Sequence, residues 1–402
     1  MNLKKICPTL RNAAVQAAFW GAYCAIYSYA SVYLLDRGVT SGQIGIILAI
    51  GNALSVILQP VIGNIADRGR KMILRPLLAG CIVPQIALCL LLFAGGSAPA
   101  IYVLLVALLQ TVQPLLHSLC AFFMERRVNI NFGISRGMGS LWYAALSSFL
   151  GVMVAKTGAP GLLWVAIGML VLLLAAVLTY RFRGVTEEKP QTEKSRASLK
   201  RFAAENRRFL ITLIGVVLLF SGFCAVSVYL FQIVSSIGLG SAEMGYAMTM
   251  GAMMELPTLF LLALLNRRVH SGRLLKISAW FMVLKVVVLA LARSFGVIML
   301  AWGLQFAGFA LYAGISVYYV TQVIEEKHQA LGQSLLNAAN TLGNLVACLL
   351  GGWLLDTAGI RALLLYACIF SAAGAAVITL AAGRGKKLPA PAQNKQSVEA
   401  SV

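Results

Sequence analysis

The chain has 402 residues, of which 60% are hydrophobic and 11% are charged, with a formal net charge of +20. Soluble globular domains carry about 25% charged residues, so this composition excludes a soluble protein and indicates a membrane protein with several spans. The positive charge does not indicate nucleic-acid binding, because the basic residues form short tracts between apolar runs rather than one basic face.

Apolar windows long enough to cross a bilayer recur twelve times along the chain. A hydrocarbon core of about 30 Å needs roughly 20 apolar residues per helix, and backbone exposed to lipid must be helical. We number these windows span 1 to span 12, and they cover residues 12–35, 42–65, 73–95, 99–123, 133–156, 160–182, 208–236, 242–265, 273–293, 296–323, 331–355 and 359–382. The predicted fold class is therefore all-α membrane, with twelve transmembrane helices.

The basic residues predict the orientation of these spans. With the N-terminus inside the cell, 28 of the 33 Lys and Arg residues lie on the cytoplasmic side, four lie in outer loops and Lys285 lies within span 9. Because cytoplasmic loops are enriched in Lys and Arg, we expect both termini to be cytoplasmic. The basic start of the chain is interpreted as a cytoplasmic lead-in rather than a removable signal peptide. Scattered cysteines and three distant histidines predict neither a disulfide framework nor a metal site.

Span 1 carries a stripe of polar and aromatic residues, Gln16, Trp20, Tyr23 and Tyr27, at spacings of four, three and four. This spacing places them on one helix face, which predicts a cavity wall for a ringed or polyol ligand. Further candidates for the cavity wall lie in spans 2, 4, 10 and 11: Asn52, Gln59, Gln113, His117, Gln305, Tyr312, Asn337 and Asn340. For the residues of spans 1 and 11, packing between helices through hydrogen bonds is the alternative. For His117 the alternatives are a hydrogen-bonded packing histidine and a proton carrier.

The segment 181–208 is the only long charged stretch inside the chain. It divides the spans into two groups of six, which predicts an internal repeat of the kind found in transporters. The predicted organisation is an N-terminal six-helix bundle at 1–182, a cytoplasmic linker at 183–207, a C-terminal six-helix bundle at 208–383 and a disordered cytoplasmic tail at 384–402.

Glu255 in span 8 and Lys285 in span 9 are ionisable residues far from the ends of their spans. A lone carboxylate in hydrocarbon costs roughly 2.5 to more than 10 kcal/mol, so its presence is a functional hypothesis by default. Each residue lies about twelve positions along its span, which at 1.5 Å per residue is a depth of about 18 Å. We expect the two to form a working proton-coupling site. The alternatives are a static salt bridge, or Glu255 acting alone while Lys285 faces lipid.

The stretch GNIADRGRK at 63–71 resembles the loop motif between helices 2 and 3 of the major facilitator superfamily. Longer stretches resemble one branch, the proton-coupled phenylpropionate, oligosaccharide and nucleoside transporters: GVTSGQIGIILAIGNALSVILQPVIGNIADR, MGYAMTMGAMMELP and GQSLLNAANTLGNLVACLLGGWLLDTAG. In that branch, span 10 often carries a histidine where this chain has Gly308, so no role of that histidine is carried over.

The resemblance implies two pseudo-symmetric bundles that expose a central site alternately to the two sides of the membrane. It also implies a gating role for the motif residues Gly63, Asp67, Arg68 and Arg70, with ordinary topogenic charge as the alternative. Arg136 opens span 5, where many relatives carry a basic residue, and we expect it to take part in gating as well. A charge pair at the cytoplasmic surface is the alternative for Arg136.

We therefore expect a monomeric secondary transporter of the bacterial cytoplasmic membrane that carries a small organic solute, with proton symport as its energy source. The expected partners are an aromatic-acid, sugar or nucleoside-like substrate, protons and the lipid bilayer, without nucleic acid or a cofactor. Sparse ionisable residues argue against an enzyme, and no P-loop for ATP is present. A facilitator or a proton-coupled exporter of the same fold is the main alternative, and a non-transporting membrane sensor is another.

Overall fold

A computed structural model describes residues 8–68, 74–125, 132–180, 202, 205–325 and 328–383. Within these residues, every predicted span coincides with helix. The helix bounds are Pro8–Tyr23, Cys24–Ser28 and Ala30–Asp36 in span 1, Ser41–Arg68 in span 2, Leu74–Phe93 in span 3, Ala98–Glu125 in span 4, Phe132–Thr157 in span 5, Gly161–Leu178 in span 6, Arg207–Val228 and Leu230–Ser235 in span 7, Ser241–Arg268 in span 8, Ser271–Ala290 in span 9, Phe295–Gly303, Leu304–Phe306 and Phe309–Val323 in span 10, and Gln329–Ala381 in spans 11 and 12. The predicted linker lies mostly, and the predicted tail wholly, outside the described residues, so the domain boundaries stay a prediction.

Eight helices in the described part of the chain are long and apolar enough to cross a membrane. One of them, Leu331–Ala381, contains both span 11 and span 12, because the only non-helical residue between these spans is Gly359, with φ 76°. Span 1 is divided into shorter helices, span 8 is less apolar, and the helix of span 9 carries three basic residues, Arg273, Lys276 and Lys285. The difference between eight helices and twelve spans therefore has a local cause in each case.

Spans 1 and 7 are interrupted at equivalent positions, and each interruption carries a buried tyrosine. In span 1 the π-helical turn Cys24–Ser28 is followed by Tyr29, with φ −97° and ψ 12°. In span 7 the break falls at Tyr229, with φ −102° and ψ 25°. Tyr29 donates to the backbone carbonyl of Ser147 at 2.7 Å, and Tyr229 donates to that of Cys348 at 2.6 Å. The same device thus occurs once in each half, as an internal repeat requires.

The two halves touch along two seams of small residues, at the span ends that are predicted to face outward. In the first seam, between spans 5 and 8, a Cβ atom on Gly151 would lie 3.1 Å from the Cα atom of Gly245. In the second seam, between spans 2 and 11, a Cβ atom on Gly352 would lie 3.0 Å from the Cα atom of Gly42, whose N–H donates to Asp356 at 2.8 Å. Helices approach this closely only through small residues, so these outer seams hold the halves together.

Candidate functional site

A short hydrogen-bonded chain joins Lys285 to Glu255. The Nζ atom of Lys285 donates to Oε1 of Gln305 at 2.6 Å, and Nε2 of Gln305 donates to Oε1 of Glu255 at 3.2 Å. The three residues belong to spans 9, 10 and 8. The base and the acid for which the sequence predicts similar depth are therefore linked, and the link runs through a neutral amide.

Lys285 is enclosed by the protein. Its side chain is 1% exposed, and its Nζ atom lies 3.6 Å from the centre of the Trp302 ring and 4.9 Å from that of Phe223. Ring contacts of this kind contribute about 2 kcal/mol or more when the cation is removed from water. The alternative in which Lys285 faces lipid is therefore wrong, and this ammonium is not free to bind a substrate anion.

Gln305 lies in a break of span 10. The 3-10 turn Leu304–Phe306 interrupts the α-helix, which frees backbone groups that must find partners inside a membrane. Thr258 supplies one of these partners, because its hydroxyl donates to the carbonyl of Phe306 at 2.7 Å. Thr258 follows Glu255 by three residues on span 8. The helix that carries the acid thus also supports the turn that carries the amide.

Arg136 lies on span 5 in the N-terminal half, whereas Glu255, Gln305 and Lys285 lie in the C-terminal half. Its guanidinium carbon lies 4.2 Å from the centre of the Trp20 ring, and its Nη1 atom donates to the hydroxyl of Ser140 at 2.7 Å. Its charge also acts on Glu255 across the boundary between the halves. Span 5 comes close to span 8 at this level, because a Cβ atom on Gly137 would lie 3.9 Å from the Cδ2 atom of Leu256. The gating role of Arg136 stays a prediction.

The stripe of span 1 is continuous in the structure. The ring centroids of Trp20 and Tyr23 are 5.2 Å apart, and those of Tyr23 and Tyr27 are 5.0 Å apart. These three residues are partly exposed. Gln16 is 1% exposed and accepts a hydrogen bond from the Trp20 indole at 3.3 Å, so it supports the stripe from behind. Tyr143 of span 5 adds a further ring, 6.4 Å from Trp20.

Tyr27 joins the two halves through hydrogen bonds. Its hydroxyl accepts from Nδ2 of Asn344 at 2.9 Å and from Nδ2 of Asn52 at 3.1 Å. Gln110 in turn donates to Oδ1 of Asn52 at 3.1 Å, and Gln59 donates to the carbonyl of Gln110 at 3.2 Å. Asn52 and Gln59 therefore find partners within the protein, and their predicted contact with a ligand stays a prediction.

The remaining candidates for the cavity wall differ in exposure. Tyr312 is buried and donates to Oδ1 of Asn340 at 2.7 Å, while Asn340 is partly exposed. Asn337 and His117 are exposed, and Gln113 is partly exposed. Contact between any of these residues and a ligand stays a prediction.

Comparison with known proteins gives the family. A model of the MFS_1 like family matches residues 15–368 of the chain. The chain belongs to the MFS_1-like family. A member of this family with these apolar helices is a multi-pass membrane transporter, and the prediction of the major facilitator superfamily is confirmed.

Individual relatives of this MFS_1-like chain are transporters too. It is 26% identical over 368 residues to a maltose permease of Geobacillus stearothermophilus. The alignment covers 90% of this chain and 92% of the permease. Its fold matches a crystal structure of the nucleoside transporter NupG with a TM-score of 0.71 and 15% identity, over 94% of this chain and 98% of that one. It also matches an auto-inhibited POT family peptide transporter, with a TM-score of 0.68 and 13% identity, over 94% and 97% of the two chains. The all-α membrane fold and the resemblance to the sugar and nucleoside branch are thereby confirmed.

The structure describes only part of the superfamily motif at the end of span 2. Gly63, Asp67 and Arg68 continue the helix Ser41–Arg68, but their side chains lie outside the described part of the structure. Arg70 lies outside the described residues altogether. The gating role of this motif therefore stays a prediction.

Three residues around Lys285 and Gln305 in this MFS_1-like chain were missed by sequence reasoning: Phe223, Thr258 and Trp302. The break in span 10 did have a signal, because Gly303 and Gly308 flank it within an apolar run. The rings had no such signal. They belong to spans 7 and 10, and only the packing of these spans against span 9 brings the rings to Lys285.

Proposed function

We propose that this chain is a proton symporter that carries a neutral sugar- or nucleoside-like solute across the bacterial cytoplasmic membrane by alternating access. The observation that carries the proposal is Glu255, a partly exposed acid in mid-span that accepts a hydrogen bond from Gln305. An acid at this depth exchanges its proton only where water reaches it. In carriers built from two halves, that access alternates between the two sides of the membrane.

Glu255 is also placed to communicate its protonation state to the other half. When it is ionised, it attracts the positive charge of Arg136 on span 5. Protonation removes this attraction, which is stronger in a protein interior than in water. Binding of a proton at Glu255 therefore changes the energy of arrangements in which spans 5 and 8 are close, as coupling between proton binding and movement requires.

The substrate class is proposed from the relatives and from the wall of the site. The relatives include a maltose permease and a nucleoside transporter. The partly exposed rings of Trp20, Tyr23 and Tyr27 offer apolar faces with polar edges, which suit a sugar ring or a base. Lys285 is enclosed by Gln305 and two rings, which favours a neutral solute over an aromatic acid.

The test is accumulation in proteoliposomes under an inward proton gradient, with radiolabelled maltose and uridine as the probes. We expect the wild-type protein to concentrate at least one of them above the external level. In the Glu255→Gln variant, accumulation should fall to the level of equilibration, because the amide takes up no proton. Exchange of internal for external solute should persist in part, since it needs no net proton movement.

Glu243→Gln is the matched control, because Glu243 lies on the same span and caps its start by accepting from the N–H of Gly240 at 2.9 Å. A glutamine oxygen is still able to accept this hydrogen bond, so accumulation should be retained. Undiminished uphill accumulation in Glu255→Gln would refute proton coupling at this residue. Equal rates of entry by the wild type with and without the gradient would instead favour a facilitator.

A further inference from the structure

We propose that Gln305 is a positioning residue that transmits the influence of Lys285 to Glu255, so that the protonation of Glu255 depends on a three-residue relay. The inference rests on the proposed proton site and adds to it the residue that organises it. Both ends of the amide are engaged, since its oxygen accepts from Lys285 at 2.6 Å and its nitrogen donates to Glu255 at 3.2 Å.

Only one orientation of the Gln305 amide suits these two neighbours. If the amide were reversed, its NH₂ group would face the ammonium of Lys285 and its oxygen would face the carboxylate of Glu255. An ammonium has only donors and a carboxylate has only acceptors, so both contacts would become repulsive. Lys285 therefore sets the direction of the amide, which in turn presents a donor to the ionised form of Glu255.

The cation at the start of the relay has little freedom to move. Lys285 is 1% exposed and lies against the rings of Trp302 and Phe223. Other titratable groups near the relay in the described part of the chain are the neutral thiol of Cys224 on span 7 and Arg136 on span 5, whose positive charge acts on Glu255. Lys285 and Arg136 are the cations that act on Glu255 within the described part of the chain, and of these two Lys285 is connected to it through Gln305.

The break in span 10 holds the amide in place. Gln305 is the central residue of the 3-10 turn Leu304–Phe306, and a turn of this kind directs its side chains differently from a continuous α-helix. Thr258 ties the turn to span 8 through its hydrogen bond to the Phe306 carbonyl at 2.7 Å. The acid and the amide are thus held at a set distance by the same pair of spans.

The test follows the proton on Glu255 directly and needs no substrate. Purified protein is titrated with acid while infrared difference spectra record the C=O stretch of protonated carboxyl groups, and the band lost in Glu255→Gln is assigned to this residue. In Gln305→Leu we expect Glu255 to take up its proton at a pH about one unit higher than in the wild type, because a hydrogen bond to the charged form is lost.

A double-mutant cycle separates the relay from a direct effect of Lys285. Lys285→Met alone should also move the titration of Glu255 to higher pH. If Lys285 acts through Gln305, the combined variant Lys285→Met/Gln305→Leu should shift no further than the larger of the two single shifts. Gln305→Asn is a second, milder variant. It keeps an amide but is too short to reach both partners, so it should shift the titration in the same direction.

Gln85→Leu is the matched control, because Gln85 is a fully buried glutamine of span 3 that bonds to the carbonyl of Cys81 in its own helix. It should leave the titration of Glu255 unchanged. An unchanged titration in both Gln305 variants, or additive shifts in the cycle, would overturn the relay. Failure of the relay is distinguishable from failure of the proposed function. The proposed function fails if Glu255→Gln still accumulates solute, whatever the infrared titrations show.

Discussion

At the scale of single residues, Lys285 and Gln305 stabilise each other. Replacement of one of them therefore lowers stability more than replacement of both. Among the described residues, Lys285 donates to one hydrogen-bond acceptor, Gln305, and lies against the faces of two rings. Removal of one member of a buried polar pair leaves the other without a partner, whereas replacement of both by apolar groups of similar shape is much less costly. An ammonium of Lys285 without the Gln305 amide is therefore expected to cost more stability than replacement of both side chains.

We predict that Gln305→Leu lowers the stability of the purified protein by about 1–3 kcal/mol, because Lys285 loses its acceptor. Addition of Lys285→Met should restore most of the loss, since the second change removes the unpaired ammonium. Thermal unfolding of the purified variants in detergent measures both effects. If the double variant is no more stable than Gln305→Leu alone, the loss of stability does not come from an unpaired Lys285 ammonium.

At the scale of helices, the breaks in spans 1 and 7 and the two outer seams determine how the halves pack together. The turns at Tyr29 and Tyr229 fall at matching places in spans 1 and 7, and each hydroxyl reaches the backbone of a span next to an outer seam. Glycine is required there for a steric reason, since a Cβ atom on Gly245 would lie 2.8 Å from the hydroxyl of Tyr29 and 3.1 Å from the Cα atom of Gly151. A larger side chain at this position must push the two halves apart.

We predict that Gly245→Leu opens the outer seam between spans 5 and 8. Spin labels on the exposed outer positions Arg37→Cys and Arg293→Cys, in a background without the natural cysteines, should report a longer distance in electron resonance measurements. Gly168→Leu is the control, because a Cβ atom on Gly168 would meet nothing within 4 Å. Identical distance distributions for Gly245→Leu and the control would contradict the steric role of this seam.

At the scale of the whole molecule, the two halves meet at both outer seams, and the hydrogen bond from Asn344 to Tyr27 connects them further in. Glu255 belongs to one half and Arg136 to the other, so the proposed proton site straddles the boundary at which the halves would move. The rocking of two halves around such a boundary is the established principle of carriers with internal repeats. The proposed coupling of proton binding to movement therefore depends on the position of Glu255 at this boundary as well as on its acidity.

The orientation of the whole molecule is open to a direct test. The bias of 28 basic residues to four predicts that the ends of span 8 and span 12 are cytoplasmic and that the turn between spans 11 and 12 is outside. A fluorescent protein fused to the C-terminus should therefore fluoresce. Alkaline phosphatase, which is active only outside the cytoplasm, should be active when fused after residue 358 and inactive after residue 269. The reverse pattern would show that the orientation is wrong.

Local patterns in the sequence determined the membrane class, the number of spans and the position of the acid. Span 2, for example, was predicted at 42–65 and forms the helix Ser41–Arg68. Such agreement is expected, because lipid requires helices and a helix of given length requires an apolar window. Glu255 and Lys285 were found by the same reasoning, since charge is rare in such windows and its cost is high.

Tertiary structure alone decided which residues meet. The amide between Lys285 and Glu255, the rings around the ammonium and the link from Asn344 to Tyr27 all join side chains on different spans. No periodicity within one helix specifies such contacts, because they depend on the rotation and depth of each helix against its neighbours. Gln305 shows the limit most clearly. Its place in a broken span was signalled by nearby glycines, but its two partners were decided by packing.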